Sequence, residues 1–373
     1  MSETSSSASV GPGPKQTPLY ELHRELGGRM VDFAGWWLPV QYPDGIMHEH
    51  RQCREQAALF DVSHMGQVLI RGDDGAKAFE RLVPGDVAGL FEGRMRYTVL
   101  TNEEGGIRDD LIVARITGGL LVVVNAACRE ADVEYMRASL EPEVKSQDDR
   151  ALLALQGPKA ADVMFRIAPA SADLGFMCTR EVSVAGVHCR VSRSGYTGED
   201  GFEISVAAHK ADALARRLIE EDEVEPAGLG ARDSLRLEAG LCLYGQDLTP
   251  ETTPIEARLA WTIGRRRREQ GGFPGADIIQ RQLREGAPRR LVGIRPEGRA
   301  PARAHAEIQD QNGDWIGEIT SGGFGPTVGG PVAMGYVKSA FAEPGTRVQL
   351  LVRERPQPAE VVALPFVPHR YKR

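Results

Sequence analysis

The sequence predicts an α+β chain that ends in a small antiparallel β-barrel. Three observations carry that expectation. From Thr17 to about residue 284, short helical and short strand-like segments alternate. Beyond that point the chain becomes a series of short strands joined by glycine and proline turns. With 373 residues and 42% hydrophobic content it can also bury more than one core.

The segments follow in order. Residues 1–16, MSETSSSASVGPGPKQ, are Ser/Gly/Pro-rich and nearly devoid of apolar side chains, so they are expected to form a disordered tail. PLYELHRELG, at 18–27, reads as a helix. It leads to an aromatic loop, FAGWWLPVQYPDG, where the adjacent Trp36 and Trp37 cannot share one strand face and at least one should lie at a rim. GAKAFERLV, at 75–83, reads as a helix capped by Asp73-Asp74 and stopped by Pro84 and Gly85. DLIVARI, the turn at 117–119 and LLVVV form an expected antiparallel hairpin, with Asp109 and Asn125 at its open end.

ALLALQG then reads as a strand, with Pro158 opening the helix KAADVMFRIA. Two strands within VHCRVSRSGYTGEDGFEISV precede the helix KADALARRLIE. The domain expectations are the tail at 1–16, two interleaved α+β domains over 17–284, and the barrel over 285–373.

Composition excludes several functions. A net charge of -7 and an isoelectric point near 5.7 argue against bulk nucleic-acid binding and against an anionic membrane as the main partner. No apolar run reaches the roughly 18 residues needed to span a bilayer. Cys53, Cys128, Cys178, Cys189 and Cys242 are widely spaced, with neither a CxxC pair nor zinc-like spacing, which fits free thiols in a reducing compartment. The expected address is the cytoplasm of a bacterium, or the mitochondrial matrix if the source is eukaryotic.

Three places carry candidate chemistry. In GGIRDDLIV, at 105–113, strand alternation sends Asp109 and Asp110 to opposite faces, so one can meet solvent while the other points inward. An inward carboxylate must be paired or used; the alternative is that both simply hold the Gly105-Gly106 bend. SGYTGEDG, at 194–201, has three glycines in eight residues, enough for backbone to close around a ligand. The strand after it places Glu203 opposite Phe202 and Ile204, where a solvated face is the alternative role. In ARDSLRLEAG, Arg232 and Arg236 are four apart on one helix face, where an ion pair with Asp233 or Glu238 is the alternative. The run Arg265–Arg268 reads as a solvated face that could also dock a partner.

TPLYELH, VDFAGWWLPVQY, FDVSHMG, GGIRDDLIV, VVVNAACRE, LALQGP, SGYTGEDGFE, GARDSLRLEAGLCLYGQDL, ITSGG and AMGYV occur in an order and spacing that resembles the aminomethyltransferases, the T-proteins of the glycine cleavage system. The likeness runs from about Thr17 to the C-terminus. It implies a three-domain cloverleaf with a central folate-binding cavity, the last domain being the antiparallel barrel. It also implies a reaction in which the methylene of an aminomethyl group on the dihydrolipoyl arm of H-protein passes to tetrahydrofolate as co-substrate, with ammonia released and no metal required.

Carried over residue by residue, the resemblance makes Asp109 the catalytic carboxylate, accepting a hydrogen bond from a folate nitrogen. Glu203 would bind the guanidine-like edge of the pterin and Arg232 a folate carbonyl or carboxylate. Tyr371 would contact ligand from the barrel domain, and Met65, Tyr97, Asn125 and Tyr196 would line the cavity. Arg108 departs from the aliphatic residue usual before that aspartate. Folate-binding proteins of iron–sulfur cluster maintenance supply the alternative, a non-catalytic folate module; their KGCYxGQE-type motif would fall near Cys242, where EAGLCLYG reads as the transferase form. A flavin-fused demethylase is disfavoured because no GxGxxG strand-turn-helix stands near the start.

Overall fold

The computed structural model describes residues 13–72 and 74–372. Most of the tail expectation therefore lies outside the described residues, as does Asp73 of the expected helix cap. Its end needs correcting. Lys15–Gln16 is a short strand that pairs in parallel with Trp36–Gln41, Lys15 opposite Trp36. The Lys15 ammonium lies 5.7 Å from the Trp36 ring and bonds Glu130 at 2.8 Å.

The expected aromatic loop is likewise a hairpin, Arg29–Phe33 against Trp36–Gln41. Its turn residues Ala34 and Gly35 both have positive φ, 51° and 77°, the geometry that lets two residues reverse a right-twisted ribbon. Pairing gives Trp36 and Trp37 opposite faces, and both are half-buried.

Two sheets form the body of the molecule. The first contains, in spatial order, Met95–Thr101, Ile107–Ile116, Gly119–Val124, Gly66–Arg71 and Val144–Ser146. The second contains Cys178–Val184, Val187–Arg193, Gly201–Ala207, Arg150–Gln156, Ala57–Asp61 and Val224–Pro226. The chain leaves the second sheet after Asp61, builds the first, and returns at Arg150. Sequence distance therefore does not separate the two.

Alternation decides what each sheet face does. On the first sheet, Val68, Ile70, Leu111, Val113, Leu120 and Val122 point toward the helices Gly75–Glu80 and Arg129–Ser139 and pack with Phe79, Val133 and Met136. On the second, Leu153, Leu155, Ile204 and Val206 pack under the helices Ala160–Ile167 and Ala208–Ile219, against Val163, Met164, Leu214 and Leu218. Each fully buried aliphatic side chain of this kind contributes roughly 1.5–3 kcal/mol. The remaining faces look at each other across a small cleft. Ile112, Ala114, Leu121 and Val123 line it from the first sheet, and Leu152, Ser192, Glu203 and Ser205 from the second.

The C-terminal part is a closed barrel of six strands, Arg289–Pro296, Gly330–Lys338, Trp315–Gly325, Glu307–Gln309, Arg347–Val352 and Arg355–Val362 in order around it. It is not a detached module. The segment after the last strand runs back over the second sheet, where Val367 N–H donates to the Glu238 carbonyl at 2.9 Å and Arg370 N–H to the Gly198 carbonyl at 2.8 Å. A chain of α+β sheets closed by an antiparallel barrel is the fold class the sequence predicts.

Candidate active site

The hairpin Ile107–Ile116/Gly119–Val124 brings Asn125 back beside the two aspartates, with Ile112 opposite Val123 fixing the register. Asn125 joins them. Its backbone N–H donates to Asp109 Oδ2 at 3.0 Å, and its amide Nδ2 donates to Asp109 Oδ1 at 2.8 Å and to Asp110 Oδ1 at 2.9 Å. Tyr97, on the neighbouring strand Met95–Thr101, donates its hydroxyl to Asp110 Oδ2 at 3.0 Å.

The expectation of one inward and one solvated aspartate is corrected here. Asp109 shares its face with Leu111 and Val113, is 0 % exposed, and abuts Asp132 of the helix Arg129–Ser139. Asp110 shares its face with Ile112 and Ala114, the cleft side, and is half-buried. Both are withdrawn from bulk water: Asp109 lies under the helix Arg129–Ser139, and Asp110 stands on the side of the sheet that the second sheet faces. Arg108 is exposed and lays its guanidinium 4.3 Å over the Tyr135 ring.

Burial dominates the titration of these groups. It raises the Asp109 carboxyl, although contact with Asp132 and the Asn125 bonds work the other way. Burial, then the neighbouring Asp109, pushes Asp110 up to about 7. Burial, then Asp109 again, pushes Asp132 up to about 9. Three carboxyl groups in this space cannot all be ionised near neutrality.

The second sheet supplies the facing groups. Glu203, half-buried on Gly201–Ala207, accepts from the Ser194 hydroxyl at 2.8 Å and looks into the cleft. Arg232 sits in the first turns of the helix Leu229–Glu238 with its guanidinium 4.8 Å over the Tyr196 ring. Its Nη1 is buried with no hydrogen-bond partner among the described residues. Burial lowers its basicity, while Tyr196 and then Glu203 oppose that. A buried guanidinium N–H left this way calls for a water or a ligand as its partner. Arg236, one turn on, takes the alternative role foreseen for the pair: it is ion-paired to Asp233 at 2.8 Å and to the buried Asp247 at 2.7 Å.

Tyr196 donates its hydroxyl to the Cys242 carbonyl, which fixes the ring beneath Arg232. Met65 packs with Val123 against Phe60, Leu152, Ala231 and Leu235, next to the Arg232 helix. Tyr97 stacks on Trp261 at 5.5 Å, and Trp261 is 65% exposed, so the pair forms a rim leading to Asp110. Asp110, Asn125, Tyr97, Tyr196, Arg232, Glu203 and Met65 thus belong to one region. Tyr371 lies beside the turn that follows Tyr196. It stacks on Phe176 at 4.3 Å, with His369, Arg54 and Glu199 for neighbours, because the terminal segment is clamped to the Gly198 turn.

The arginine run also differs from expectation. Arg266 pairs with Glu80 and Asp86 at 2.7 Å, Arg267 is buried and donates to the Glu80 carbonyl at 2.8 Å, and Arg268 donates to the carbonyls of Ile263 and Ala260. Arg265, with its side chain 95% exposed, and the exposed Arg268 keep the solvated character expected of the run; Arg266 and Arg267 do not. The sequence reading named Asp110 only as the partner of Asp109, and it missed Asp132 and His64. His64 is buried with Nδ1 unpartnered, packs edge-on against Phe33 at 5.6 Å, and is pushed down to about 4 by burial, so it is neutral. For Asp132 a signal existed, a carboxylate on the same helix face as Val133 and Met136.

Fold and site together define a mixed α/β protein with a C-terminal barrel, in which buried carboxyl groups and a guanidinium without a hydrogen-bond partner at Nη1 gather beside the cleft between the two sheets. Comparison with known proteins narrows this. Residues 19–267 match the GCVT N-terminal domain and residues 289–368 the glycine cleavage T-protein C-terminal barrel domain. The mitochondrial aminomethyltransferase of Mesembryanthemum crystallinum is 47% identical over 371 residues, covering 96% of this chain and 90% of the relative. That of Homo sapiens is 48% identical over 368 residues, covering 96% and 91%. The crystal structure of glycine cleavage system aminomethyltransferase T from Bartonella henselae superposes with a TM-score of 0.91 at 43% identity, covering 96% of this chain and 99% of that one. The chain belongs to the glycine cleavage T-protein family of aminomethyltransferases.

Proposed function

We propose that the chain moves the methylene carbon of an aminomethyl group, carried on the dihydrolipoyl arm of H-protein, to tetrahydrofolate, with release of ammonia. Tetrahydrofolate would supply the nitrogens that receive the carbon. The observation that carries this reading is the nearness, on the second sheet's side, of a carboxylate and a guanidinium that the described residues do not fully satisfy. Glu203 has two acceptor oxygens and spends one on Ser194, leaving acceptor capacity for the amino and ring N–H groups of a pterin. Arg232 Nη1 has no partner and suits a carbonyl or carboxylate.

The substrate-facing carboxyl in this reading is Asp110, held from opposite sides by Tyr97 and Asn125. A carboxyl brought to about 7 can take a proton from an attacking nitrogen and return one to departing ammonia. Asp109, expected in that place, backs it through Asn125. Met65 and Tyr196 shape the walls, and Tyr97 with Trp261 the rim. The cytoplasm, or the mitochondrial matrix in a eukaryotic source, suits the five free cysteines; the plant and human relatives above are named mitochondrial. Among the described residues no helix is long and apolar enough to cross a membrane.

The test is ammonia release from aminomethyl-loaded H-protein with tetrahydrofolate. Asp110→Asn is expected to lower kcat by about 100-fold or more, the usual contribution of a proton-transferring side chain. Turnover retained in that variant removes the assigned role. Glu203→Gln is expected to weaken tetrahydrofolate binding by about tenfold, as loss of one charge-assisted contact implies; unchanged affinity sinks the pterin assignment. Folate binding without ammonia release by the native chain would favour the non-catalytic module.

A further inference from the structure

The helix Arg129–Ser139 carries an acid on its inner face that no step above uses. Asp132 is 3 % exposed, and its Oδ2 is buried without a partner. Its neighbour is the carboxyl of Asp109, near enough that each shifts the other's titration by charge and by hydrogen-bonding capacity. Two ionised carboxylates only accept, so a hydrogen bond between them needs a proton.

The surroundings decide where that proton sits. Asp109 already accepts the Asn125 backbone N–H and amide N–H, both of which favour its ionised form. Asp132 has less support. The cation near it is Arg108, which is exposed and committed to the Tyr135 ring. The other groups facing the pair are the Cys128 thiol and the Tyr244 hydroxyl, both driven upward by burial and by these carboxylates and therefore neutral, and Asp110 across the strand. The proton belongs on Asp132.

We propose that Asp132 is a positioning residue for the transfer site: as a neutral acid it donates to Asp109, which stays an ionised acceptor and so fixes the Asn125 amide that holds Asp110. The chain of contacts is continuous, Asp132 to Asp109, Asp109 to Asn125 at 2.8 Å, and Asn125 to Asp110 at 2.9 Å. It also sets the amide orientation. With Nδ2 drawn toward both aspartates, Asn125 Oδ1 is left as the acceptor it can offer a ligand. When Asp132 ionises, the Asp109–Asn125 grip is lost to repulsion and Asp110 is no longer held in place.

The functional part rests on the reading that Asp110 serves the transfer; the proton itself can be tested without it. Infrared difference spectroscopy of native protein against Asp132→Asn at pH 7 should show one carbonyl stretch of a protonated carboxyl missing in the variant. The same band should disappear in the native protein alone as pH rises through about 9, the value to which burial and Asp109 bring this group. No such band, in either measurement, overturns the proposal whatever the activity.

The second arm is the pH profile of kcat. Asp132→Asn can still donate to Asp109 but cannot ionise, so its alkaline decline should move at least one pH unit upward. Its turnover at pH 7 should exceed that of Asp132→Leu, which cannot donate, by about tenfold, one lost hydrogen bond to a charged group. Coincident alkaline limbs in native protein and Asn variant, with the infrared band present, overturn the positioning role. Absence of transfer in the native protein itself would instead tell against the reading on which that role rests.

Discussion

Asn125→Ala is the most searching perturbation of the site. The amide has two N–H groups, and three acceptors lie within reach: Asp109 Oδ1 at 2.8 Å, Asp110 Oδ1 at 2.9 Å and the Asp110 carbonyl at 3.0 Å. At most two of these bonds can be well aligned at once. Hydrogen bonds to ionised groups contribute about 1.5–3 kcal/mol each, which puts the gross loss at about 3–6 kcal/mol. Asn125 is half-buried, so water can re-solvate part of what the truncation exposes. The backbone N–H bond to Asp109 Oδ2 also survives in alanine. A net destabilisation of about 2–4 kcal/mol follows. Removing the shared donor leaves Asp109 and Asp110 to repel one another, which moves Asp110 further above the value of about 7 already set by burial and by Asp109. Urea unfolding measures the first effect, and the pH dependence of ammonia release the second, with its acid limb expected to move upward. A variant within about 0.5 kcal/mol of native stability whose acid limb has not moved would show that the amide does not join the two carboxyls.

Glu238 is buried where the second sheet's helix meets the barrel. It accepts from Arg54 at 3.0 Å and from the backbone N–H groups of Thr327 and Val328 at 2.7 and 3.1 Å. Burial works to raise this group, but bonds from His50, the charge of His50, and the Thr327 and Val328 contacts outweigh it and bring it to about 2. Its unfolded value is about 4.3. A depressed folded value means that its stabilisation is present above about pH 4 and is lost as pH falls through about 2. Native protein should therefore exceed Glu238→Gln in stability at pH 6 by a margin that shrinks steadily below pH 4; a constant margin on acid titration followed by circular dichroism would refute this. Along the arginine run, Arg267→Ala should destabilise by about 2–4 kcal/mol, because the carbonyls of Glu80, Val83 and Gly272 lose their donor, whereas Arg265→Ala should stay within about 0.5 kcal/mol. Equal denaturation midpoints for the two would refute the distinction.

Local pattern was readable wherever local chemistry decides the outcome. The hairpin after Asp109 forms with its turn at Thr117–Gly118 because two β-branched runs flank that turn, and its register puts Asn125 on the aspartates. The helix around Arg232 likewise follows from its own sequence. What could not be read is long-range pairing. Nothing in AALFD shows that Ala57–Asp61 lies between Arg150–Gln156 and Val224–Pro226, nor that the sheet so formed faces the side of the first sheet on which Asp110 stands. The aspartate expected to be solvated is half-buried for that reason. The arginine run was misread for a similar one: Glu80, which anchors Arg266, is 186 residues away in sequence.

Pairing also separates scaffold from site within one helix. Leu229–Glu238 carries Arg232, Arg236 and Glu238, and all three lose hydration. Glu238 meets Arg54, His50 and two backbone N–H groups; Arg236 meets Asp233, Asp247, the Leu241 carbonyl and Ser321. Both networks reach the barrel, through Thr327, Val328 and Ser321. Removing one partner from such a network strands a buried charge, at about 3–5 kcal/mol. Arg232 has only the Tyr196 ring, Glu203 at a distance, and an empty-handed Nη1. A chain selected only for stability would gain by replacing it with an apolar residue of similar volume. Its persistence beside two fully paired neighbours is explained if a ligand completes its bonding. Arg232→Met is accordingly expected to fold at least as stably as the native chain in the absence of folate, and to forfeit most of the stabilisation that added tetrahydrofolate gives the native chain.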